Sequence, residues 1–306
     1  MKFAKAVLIL PLSLVFLLAC NAASKTTSSQ ISADEIYKMI EKGRNVFIQD
    51  AKISGNLDLT GLSEKTPMRS TENKIIIRSS VAFKNCHFLG EITGYKMVGS
   101  SDETSCIFQS PVYFDVCIFD KNFNLKNAVF QNSFVISACT FNKDIILDNS
   151  QMISDFDLVN CKVRGTSNFQ NTYFNQKSNF FKTDFDSTCQ FQSGFFNSVA
   201  QFNDVSFNKY TDFSLSIFNS RAFFNYAKFY GRNLFNNCSF RNQVEFNYAH
   251  FHNTVFDKSS FSHESKFNEI EIKDKLDLST SRFLYSKPFI SNNSDTVKAR
   301  IIGSGD

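Results

Sequence analysis

Cysteine is the residue type in this chain with the widest chemistry, because a thiolate can be acylated, oxidised to a disulfide or bound to a metal. Cys20 follows an apolar run near the N-terminus. The other seven each lie two residues before a large apolar side chain: Cys86, Cys106, Cys117, Cys139, Cys161, Cys189 and Cys238. A disulfide network would suit an exported protein, but this uniform setting favours buried thiols that fill a core. Metal binding is not expected, since no pair has Cys-x-x-Cys spacing.

Residues 1–19 have the pattern of an export signal. Lys2 and Lys5 precede an apolar run over residues 6–18. This run is shorter than the ~20 residues of a comfortable membrane-spanning helix and matches the hydrophobic part of a signal peptide. We therefore expect the mature chain to begin near residue 20.

The signal ends in the tetrapeptide Leu17-Leu18-Ala19-Cys20. It resembles the lipobox of bacterial lipoproteins, which implies that the signal is removed and that the thiol of Cys20 carries a diacylglycerol. Several acyl chains would give stable membrane anchoring. Asn21, where an aspartate would imply retention at the inner membrane, favours the outer membrane of the cell envelope. The alternative is an ordinary cleaved signal with an incidental cysteine. Residues 20–30, rich in Ser and Thr, are expected to form a flexible lipidated tether.

A phenylalanine repeat organises most of the chain and must position the other residues. Between residues 169 and 251, Phe recurs at alternating steps of five and six residues. The members are Phe169, Phe174, Phe180, Phe185, Phe191, Phe196, Phe202, Phe207, Phe213, Phe218, Phe224, Phe229, Phe235, Phe240, Phe246 and Phe251. Neither a helical stripe nor a simple alternating strand gives this spacing, so it predicts a repeat architecture.

The side chain two residues before most of these phenylalanines is small, as at Thr172, Ala200 and Ala222. Residues two apart in an extended segment point to the same side, so we predict that each segment points one large and one small side chain inward. Two steps of five and two of six would close a square coil, and coils would stack at ~4.8 Å. If Leu, Ile, Val and Met are accepted in place of Phe, the register extends over residues 108–283, which is about eight coils at that period.

This pattern resembles the pentapeptide-repeat proteins, whose unit combines a small residue, a polar residue and a central Leu or Phe. It is most similar to their Phe-rich branch. The resemblance implies an all-β fold, a right-handed quadrilateral β-helix solenoid. The six-residue steps depart from the strict five-residue repeat of that family.

The ends and interruptions of the repeat define the remaining segments. Residues 31–47 are predicted to form a capping helix, which begins with a Ser32–Glu35 capping box and protects the edge of the first coil. The solenoid is predicted over residues 48–283, with insertions near 60–76 and 89–107 that we expect as outward loops. The tail, residues 284–306, loses the period.

Two sets of apolar residues are predicted to point outward and form a candidate binding ridge. Tyr173, Phe195 and Ile217 lie one coil period apart and should stack, and Tyr226 and Tyr248 form a second pair. An exposed apolar ridge can mark a partner surface, or it can be covered by the tail or a loop. Stacked asparagines, Asn175, Asn197 and Asn219 in one column and Asn203, Asn225 and Asn247 in another, are expected to stabilise the coil by ladders of hydrogen bonds.

Catalysis is not expected. In the regular part of the repeat, up to residue 251, no two acidic residues are separated by one coil period, so carboxylates do not stack as a β-helix lyase or hydrolase would need. His250 and His252 flank an inward Phe and lack a third ligand at metal spacing. No phosphate loop, serine nucleophile elbow or zinc motif is present, so neither a cofactor nor a metal is expected.

Three functional hypotheses follow. The first is a lipid-anchored envelope module that binds a protein or glycan partner along a rigid rod. The second, known for some pentapeptide-repeat proteins, is a DNA mimic that inhibits topoisomerase. It requires a strongly acidic cytoplasmic protein, whereas loss of Lys2 and Lys5 with the signal leaves 31 of the 33 basic residues against 29 acidic ones. That balance also argues against nucleic-acid binding. The third is a carbohydrate-active β-helix enzyme. Pairing of solenoid ends into a homodimer stays open.

Overall fold

The computed structural model describes residues 24–26, 30–69, 71–99, 101–286, 288, 290–292 and 299–300. Over these residues the chain is a parallel β-solenoid with four faces, and ten complete coils lie between Val46 and Phe283. The predicted all-β quadrilateral solenoid is therefore confirmed. We number the faces 1 to 4 in the order in which the chain visits them.

Each face is a column of short parallel strands. Face 1 contains Ser24–Thr26, Val46–Gln49, Val81–Lys84, Val112–Asp115, Phe134–Ser137, Phe156–Val159, Ser178–Asn179, Ala200–Gln201, Ala222–Phe223, Val244–Glu245 and the start of Ser265–Asp277. Face 2 contains Gln30–Ser32, Lys52–Ser54, His87–Phe88, Ile118–Phe119, Thr140–Phe141, Lys162–Val163, Asp184–Phe185, Ser206–Phe207, the first parts of Lys228–Leu234 and His250–Val255, and the middle of Ser265–Asp277.

The other two faces complete the square. Face 3 contains Leu57–Asp58, Ile92–Thr93, Phe123–Asn124, Ile145–Ile146, Ser167–Asn168, Cys189–Gln190, Thr211–Asp212, the ends of the three long strands and Ala299–Arg300. Face 4 contains Glu72–Ile77, Asp102–Phe108, Val129–Phe130, Gln151–Met152, Tyr173–Phe174, Phe195–Phe196, Ile217–Phe218, Ser239–Phe240, Ser260–Phe261 and Arg282–Phe283.

The interior is a stack of side chains in the predicted inward pairs. Phe180, Phe202 and Phe224 are fully buried, and successive rings are parallel with centroids 4.6 and 4.8 Å apart. This separation equals the spacing of adjacent strands. Stacking along the solenoid axis therefore satisfies strand pairing and ring packing together.

The alternating steps of five and six residues correspond to two kinds of corner. In most five-residue steps, the residue two positions after the inward side chain is in the left-handed region, as at Asn171 (φ 54°). The N–H of Thr172 then donates to the C=O of Phe169 at 3.3 Å and closes the turn. Among the residues that the structure describes, Asn or Asp occupies eight of the 17 non-glycine positions of positive φ, because these residues tolerate this conformation best.

The N-terminal end is capped by helix α1, Ala33–Glu41. The predicted capping box is confirmed: the Ser32 hydroxyl accepts from the Glu35 N–H, and the Glu35 carboxylate accepts from the Ser32 N–H at 2.9 Å. Ile36 and Ile40 are buried against the first coil. Two strands precede the helix, and one of them, Ser24–Thr26, falls within the segment predicted as a flexible tether.

The two insertions form β-hairpins rather than irregular loops. A 3-10 turn, Leu59–Gly61, leads into Lys65–Arg69, which is antiparallel to Glu72–Ile77. Tyr95–Val98 is likewise antiparallel to Asp102–Phe108. Because the two face 4 strands of these hairpins also pair with each other, the insertions form a small sheet that continues face 4 beyond the square.

The C-terminal coils vary the pattern in two ways. Strands Lys228–Leu234 and His250–Val255 continue around the corner between faces 2 and 3. Their register shifts between Phe229 and Arg232, because the later coil is one residue shorter there. In the tail, Ile290–Asn292 and Ala299–Arg300 pair in parallel with Ser265–Asp277. The solenoid thus extends beyond residue 283, where the sequence pattern ended.

Candidate binding surfaces

The outward residues of face 4 form an apolar column along the rod. The parallel register places Tyr173, Phe195 and Ile217 directly above one another, as predicted. It also continues the column toward the N-terminus through Gln151, Val129, Ile107 and Ile76. Gln151 is polar and exposed, whereas the other members are apolar or aromatic and half-buried. We call these seven residues the face 4 column.

The two aromatic members of the face 4 column, Tyr173 and Phe195, stack on each other. The rings of Tyr173 and Phe195 stack at 5.3 Å with an angle of 18° between them. The Tyr173 hydroxyl donates to Oδ1 of Asn175 at 3.0 Å. The outer surface of face 4 is therefore a rigid apolar strip beside a polar ladder.

The asparagine ladders are confirmed in both columns. On face 4, Nδ2 of Asn197 donates to Oδ1 of Asn175 at 3.3 Å, and Nδ2 of Asn219 donates to Oδ1 of Asn197 at 3.1 Å. On face 1, Oδ1 of Asn203 accepts from the backbone N–H of Asn225 at 3.0 Å. The same contact recurs from Asn225 to Asn247. The ladders stabilise the stack, and the face 4 ladder fixes the edge of the apolar column.

The hairpin sheet widens face 4 at its N-terminal end. Its tips carry Met68, Met97 and Val98, which are 58, 50 and 53% exposed. Its base is held by Lys74, whose ammonium contacts Glu72 Oε1 at 3.0 Å and donates to the Ser105 hydroxyl at 2.7 Å. This buried charge is fully partnered, so it anchors the hairpins and is not a free reactive amine.

Tyr226 and Tyr248 lie elsewhere, at the corner between faces 1 and 2. Their rings are parallel within 6°, with centroids 4.8 Å apart, and their side chains are 50 and 44% exposed. Both residues have φ of 60°, a conformation that is costly for a bulky side chain. The predicted ridge is therefore two separate surfaces, a half-buried column on face 4 and an exposed tyrosine pair on a corner.

The sequence pattern missed the N-terminal part of the face 4 column. Val129 and Ile107 follow from the same coil period, so the signal was present. Ile76 precedes Ile107 by more than one period, because the second insertion separates them. Only the strand pairing shows that Ile76 belongs to the column.

The seven internal cysteines are buried and free, which agrees with the packing interpretation. Burial raises the pKa of the Cys106, Cys189 and Cys238 thiols well above the usual value. In the column of Cys86, Cys117 and Cys139, the thiols donate to backbone carbonyls, and Cys139 Sγ accepts from the N–H of Cys117 at 3.2 Å. These groups are structural and are not activated nucleophiles.

Three of the four histidines pair with a carboxylate along face 2. Nε2 of His87 lies 2.8 Å from Asp120, Nδ1 of His250 lies 2.7 Å from Glu271, and Nδ1 of His252 lies 3.3 Å from Asp274. In the part of the chain that the structure describes, no three potential ligands come together to hold a metal ion. A shallow open pocket of about 450 Å³ between faces 2 and 3 is lined by Asn56, Glu91, Lys121, Asn122 and Lys143.

The fold and surfaces define this chain as a β-solenoid with an apolar column on one face. Comparison with family models, curated proteins and solved structures finds no match. Leu17, Leu18, Ala19 and Cys20 lie outside the described residues. Within the described ranges, no helix has both the length and the apolar character needed to cross a bilayer.

Proposed function

We propose that this chain is a lipid-anchored protein of the bacterial cell envelope, related to the pentapeptide-repeat proteins, whose rod binds a protein or glycan partner without catalysis. The observation that carries the proposal is the face 4 column. It places six apolar or aromatic side chains and one polar side chain, Gln151, in register over seven coils.

The rigidity of the column supports binding. Side chains held at strand spacing on a solenoid lose little conformational freedom when a partner covers them. Half-buried aromatic residues such as Tyr173 and Phe195 supply large contact area with few rotatable bonds. The hairpin sheet adds exposed apolar residues in the plane of the same face. An extended partner can therefore contact both surfaces at once.

Anchoring at Cys20 is supported by the lipobox pattern, and the described strands begin only four residues later at Ser24. The experiment is cell fractionation with metabolic labelling by a fatty acid, comparing the wild-type chain with Cys20→Ala. We expect label and membrane association to depend on Cys20. A soluble wild-type chain with residues 1–19 retained would overturn the anchor and with it the envelope assignment.

The binding surface is tested by placing a photo-crosslinking amino acid at Phe195 in cells. Phe223 is the matched control, because it is an outward, half-buried phenylalanine on face 1 at a similar distance along the rod. We expect an adduct of defined mass from position 195 only, and we expect Ile217→Asp to abolish it. Adducts from both positions, or persistence of the adduct in the Ile217→Asp chain, would remove the face 4 column as the site. A glycan array probed with the same variants tests for a glycan partner.

A further inference from the structure

Three exposed tyrosines lie close together on the C-terminal half of the rod, around face 2. Tyr226 and Tyr248 form the stacked pair at the corner between faces 1 and 2. Tyr230 lies at the next corner, between faces 2 and 3, where its side chain is 43% exposed and its ring centroid is 5.3 Å from that of His252. The parallel register aligns the two coils, so these side chains share one surface with the outward residues of face 2. We call this surface the face 2 patch, and its members are Tyr226, Lys228, Tyr230, Tyr248, His250 and His252.

The fold does not account for the stacked tyrosine pair. Asp204 occupies the same corner one coil before Tyr226, with φ of 58°, so a short polar residue suffices for this turn. A tyrosine in the left-handed region is costly, and the side chains of both tyrosines stay exposed. Core packing therefore does not explain the pair, and its presence points to a contact outside the solenoid.

Three basic side chains lie around Tyr230, and none has a carboxylate partner in the described part of the chain. Lys228 points outward two residues before Tyr230, and Arg232 lies two residues after it. Lys209 lies on the preceding coil, where its backbone carbonyl is so close to Gly231 that a Cβ on Gly231 would collide with it. The corner is therefore tightly packed at Gly231, and Tyr230 and Arg232 are exposed on either side of it.

The face 2 patch also presents acceptors for hydrogen bonds. The carboxylates of Glu271 and Asp274, on side chains that are 54 and 60% exposed, lie 2.7 and 3.3 Å from the rings of His250 and His252. The tyrosine hydroxyls both donate and accept. Aromatic rings beside donors, acceptors and unpaired cations suit a polysaccharide, whose sugars combine apolar C–H faces with hydroxyl groups. A nucleic acid fits less well, because the two carboxylates would repel its phosphates.

We propose that the face 2 patch binds an acidic polysaccharide. Each ring of the stacked pair has one side that the other ring does not cover, where a sugar can pack its C–H groups. Lys228 and Arg232 would hold the carboxylates of the sugars by charge-assisted hydrogen bonds. Face 2 is opposite face 4, so the site is separate from the face 4 column, and it does not depend on lipid attachment at Cys20.

The test is isothermal titration calorimetry of the full-length chain in detergent. The acidic probes are oligogalacturonate and oligomannuronate, and a neutral maltooligosaccharide and an oligothymidylate are compared with them. The aromatic variant is Tyr226→Asn with Tyr248→Asn, which should fold at least as well as the wild-type chain because Asn suits the left-handed corner. Leu215→Asn is its matched control, since it makes the same kind of exchange at an exposed left-handed corner between faces 3 and 4.

The charge variant is Lys228→Gln with Arg232→Gln, which removes both positive charges and keeps polar side chains at the two positions. Lys258→Gln is its matched control, because Lys258 is an exposed lysine at the corner between faces 3 and 4. Ile217→Asp changes the face 4 column and shows whether the sugar lies on that face instead.

We expect the wild-type chain to bind the acidic probes more tightly than the neutral one. The aromatic and charge variants should each lose about tenfold in affinity for the acidic probes. The chains with Leu215→Asn, Lys258→Gln or Ile217→Asp should bind like the wild-type chain.

Several results would overturn the proposal. They are failure of the wild-type chain to bind either acidic probe, equal affinity for the neutral probe, and an equal loss of affinity in the matched controls. Tighter binding of the oligothymidylate would make the patch a nucleic-acid site instead. Loss of binding in the Ile217→Asp chain alone would assign the sugar to the face 4 column, which would support the proposed function and refute this inference.

Discussion

Two regions of the solenoid fill the same cross-section in different ways. In the aromatic region, residues 167–261, faces 1 and 3 combine a small residue with a phenylalanine, as in Ser178 and Phe180. In the mixed region, residues 46–163, the same two positions hold two large residues, as in Phe156 and Leu158 directly beneath them. All four side chains are fully buried.

This comparison shows that the coil accepts inward pairs of different size and does not require a particular residue at each position. The backbone is fixed by parallel pairing and by the left-handed corners, which are present in both regions. The mixed region is also where the two hairpins interrupt the coil and where the cysteine column lies.

Ring stacking runs along all four faces of the aromatic region, whereas in the mixed region it is confined to shorter runs such as Phe88, Phe119 and Phe141. Phe202 stacks on Phe180 and Phe224 at 4.6 and 4.8 Å and contacts Phe191 and Phe213 edge to face at 5.5 and 5.4 Å. Such aromatic pairs contribute about 0.5–1.5 kcal/mol each beyond the area they bury. The aromatic region should therefore be the more stable part of the rod.

Removal of one stacked ring is the largest expected effect. Phe202→Ala leaves a cavity between two rings and should lower the free energy of unfolding by about 3–5 kcal/mol. Leu158→Ala, at the equivalent position in the mixed region, should cost about 2–4 kcal/mol. Urea denaturation followed by circular dichroism measures both. A larger loss for Leu158→Ala would show that ring stacking does not distinguish the two regions.

Exchange of the inward pair between the two regions tests whether the two inward positions of one face compensate each other. Ser178→Phe alone should overpack the coil and cost about 1–3 kcal/mol. The double variant Ser178→Phe with Phe180→Leu copies the Phe156–Leu158 pair of the coil beneath and should recover part of this loss, because Leu is smaller than Phe. Denaturation of the two single variants and the double variant gives the coupling free energy between the positions. If the changes in unfolding free energy of the two single variants simply add up in the double variant, the two positions do not compensate each other.

The coil period and the asparagine ladders could be predicted from the sequence, because both involve residues separated by a constant step. The capping helix could be predicted as well. The helix signal was local, in Ser32 and Glu35. The pairs of two large inward residues in the mixed region were not predicted, because Phe134 and Phe156 occupy positions where the repeat pattern predicts a small residue. The hairpins were not visible either, since an insertion removes the step that shows which strands are neighbours. The sequence did not show that the Tyr226–Tyr248 pair and the face 4 column are separate surfaces, because the spacing does not say on which face or corner a residue lies.

The buried thiols of the mixed region should make stability depend on alkaline pH. Burial raises the pKa of Cys139 well above its usual value, so the native state keeps this proton. Below about pH 8.5 the thiol is protonated in both states, and above it only the unfolded state loses the proton. The free energy of unfolding should therefore fall as pH rises, by about 1.4 kcal/mol per pH unit for this thiol.

Cys139→Ser should reduce that slope and keep the fold. Thr183 lies in the same column two coils further, where its hydroxyl oxygen accepts from the N–H of Cys161 at 3.3 Å and donates to Leu158 C=O at 2.7 Å. A hydroxyl therefore fits this position. Urea denaturation between pH 8 and 10 compares the variant with the wild-type chain. Identical slopes would show that Cys139 does not contribute to the pH dependence.

The smallest expected effect concerns the corners, which the two regions share. Leu215 has φ of 64° and is 57% exposed, whereas Asn171 and Asn237 occupy the same corner two coils before and one coil after it. A left-handed conformation costs most residues about 1–2 kcal/mol, and less for Asn. Leu215→Asn should therefore raise the free energy of unfolding by up to about 1 kcal/mol, and Asn171→Leu should lower it by a similar amount. The midpoints of thermal denaturation of the two variants measure both changes in stability.

If neither variant shifts the midpoint, the corner residues carry no strain. The five-residue step would then be fixed by strand pairing alone, and the exposed leucine and tyrosines at these corners would need no explanation from binding. If Leu215→Asn does stabilise the rod, the strained Leu215, Tyr226 and Tyr248 are retained at a cost to stability. A contact outside the solenoid would then be the natural reason for their presence, and the photo-crosslinking experiment should be extended from the face 4 column to these corners.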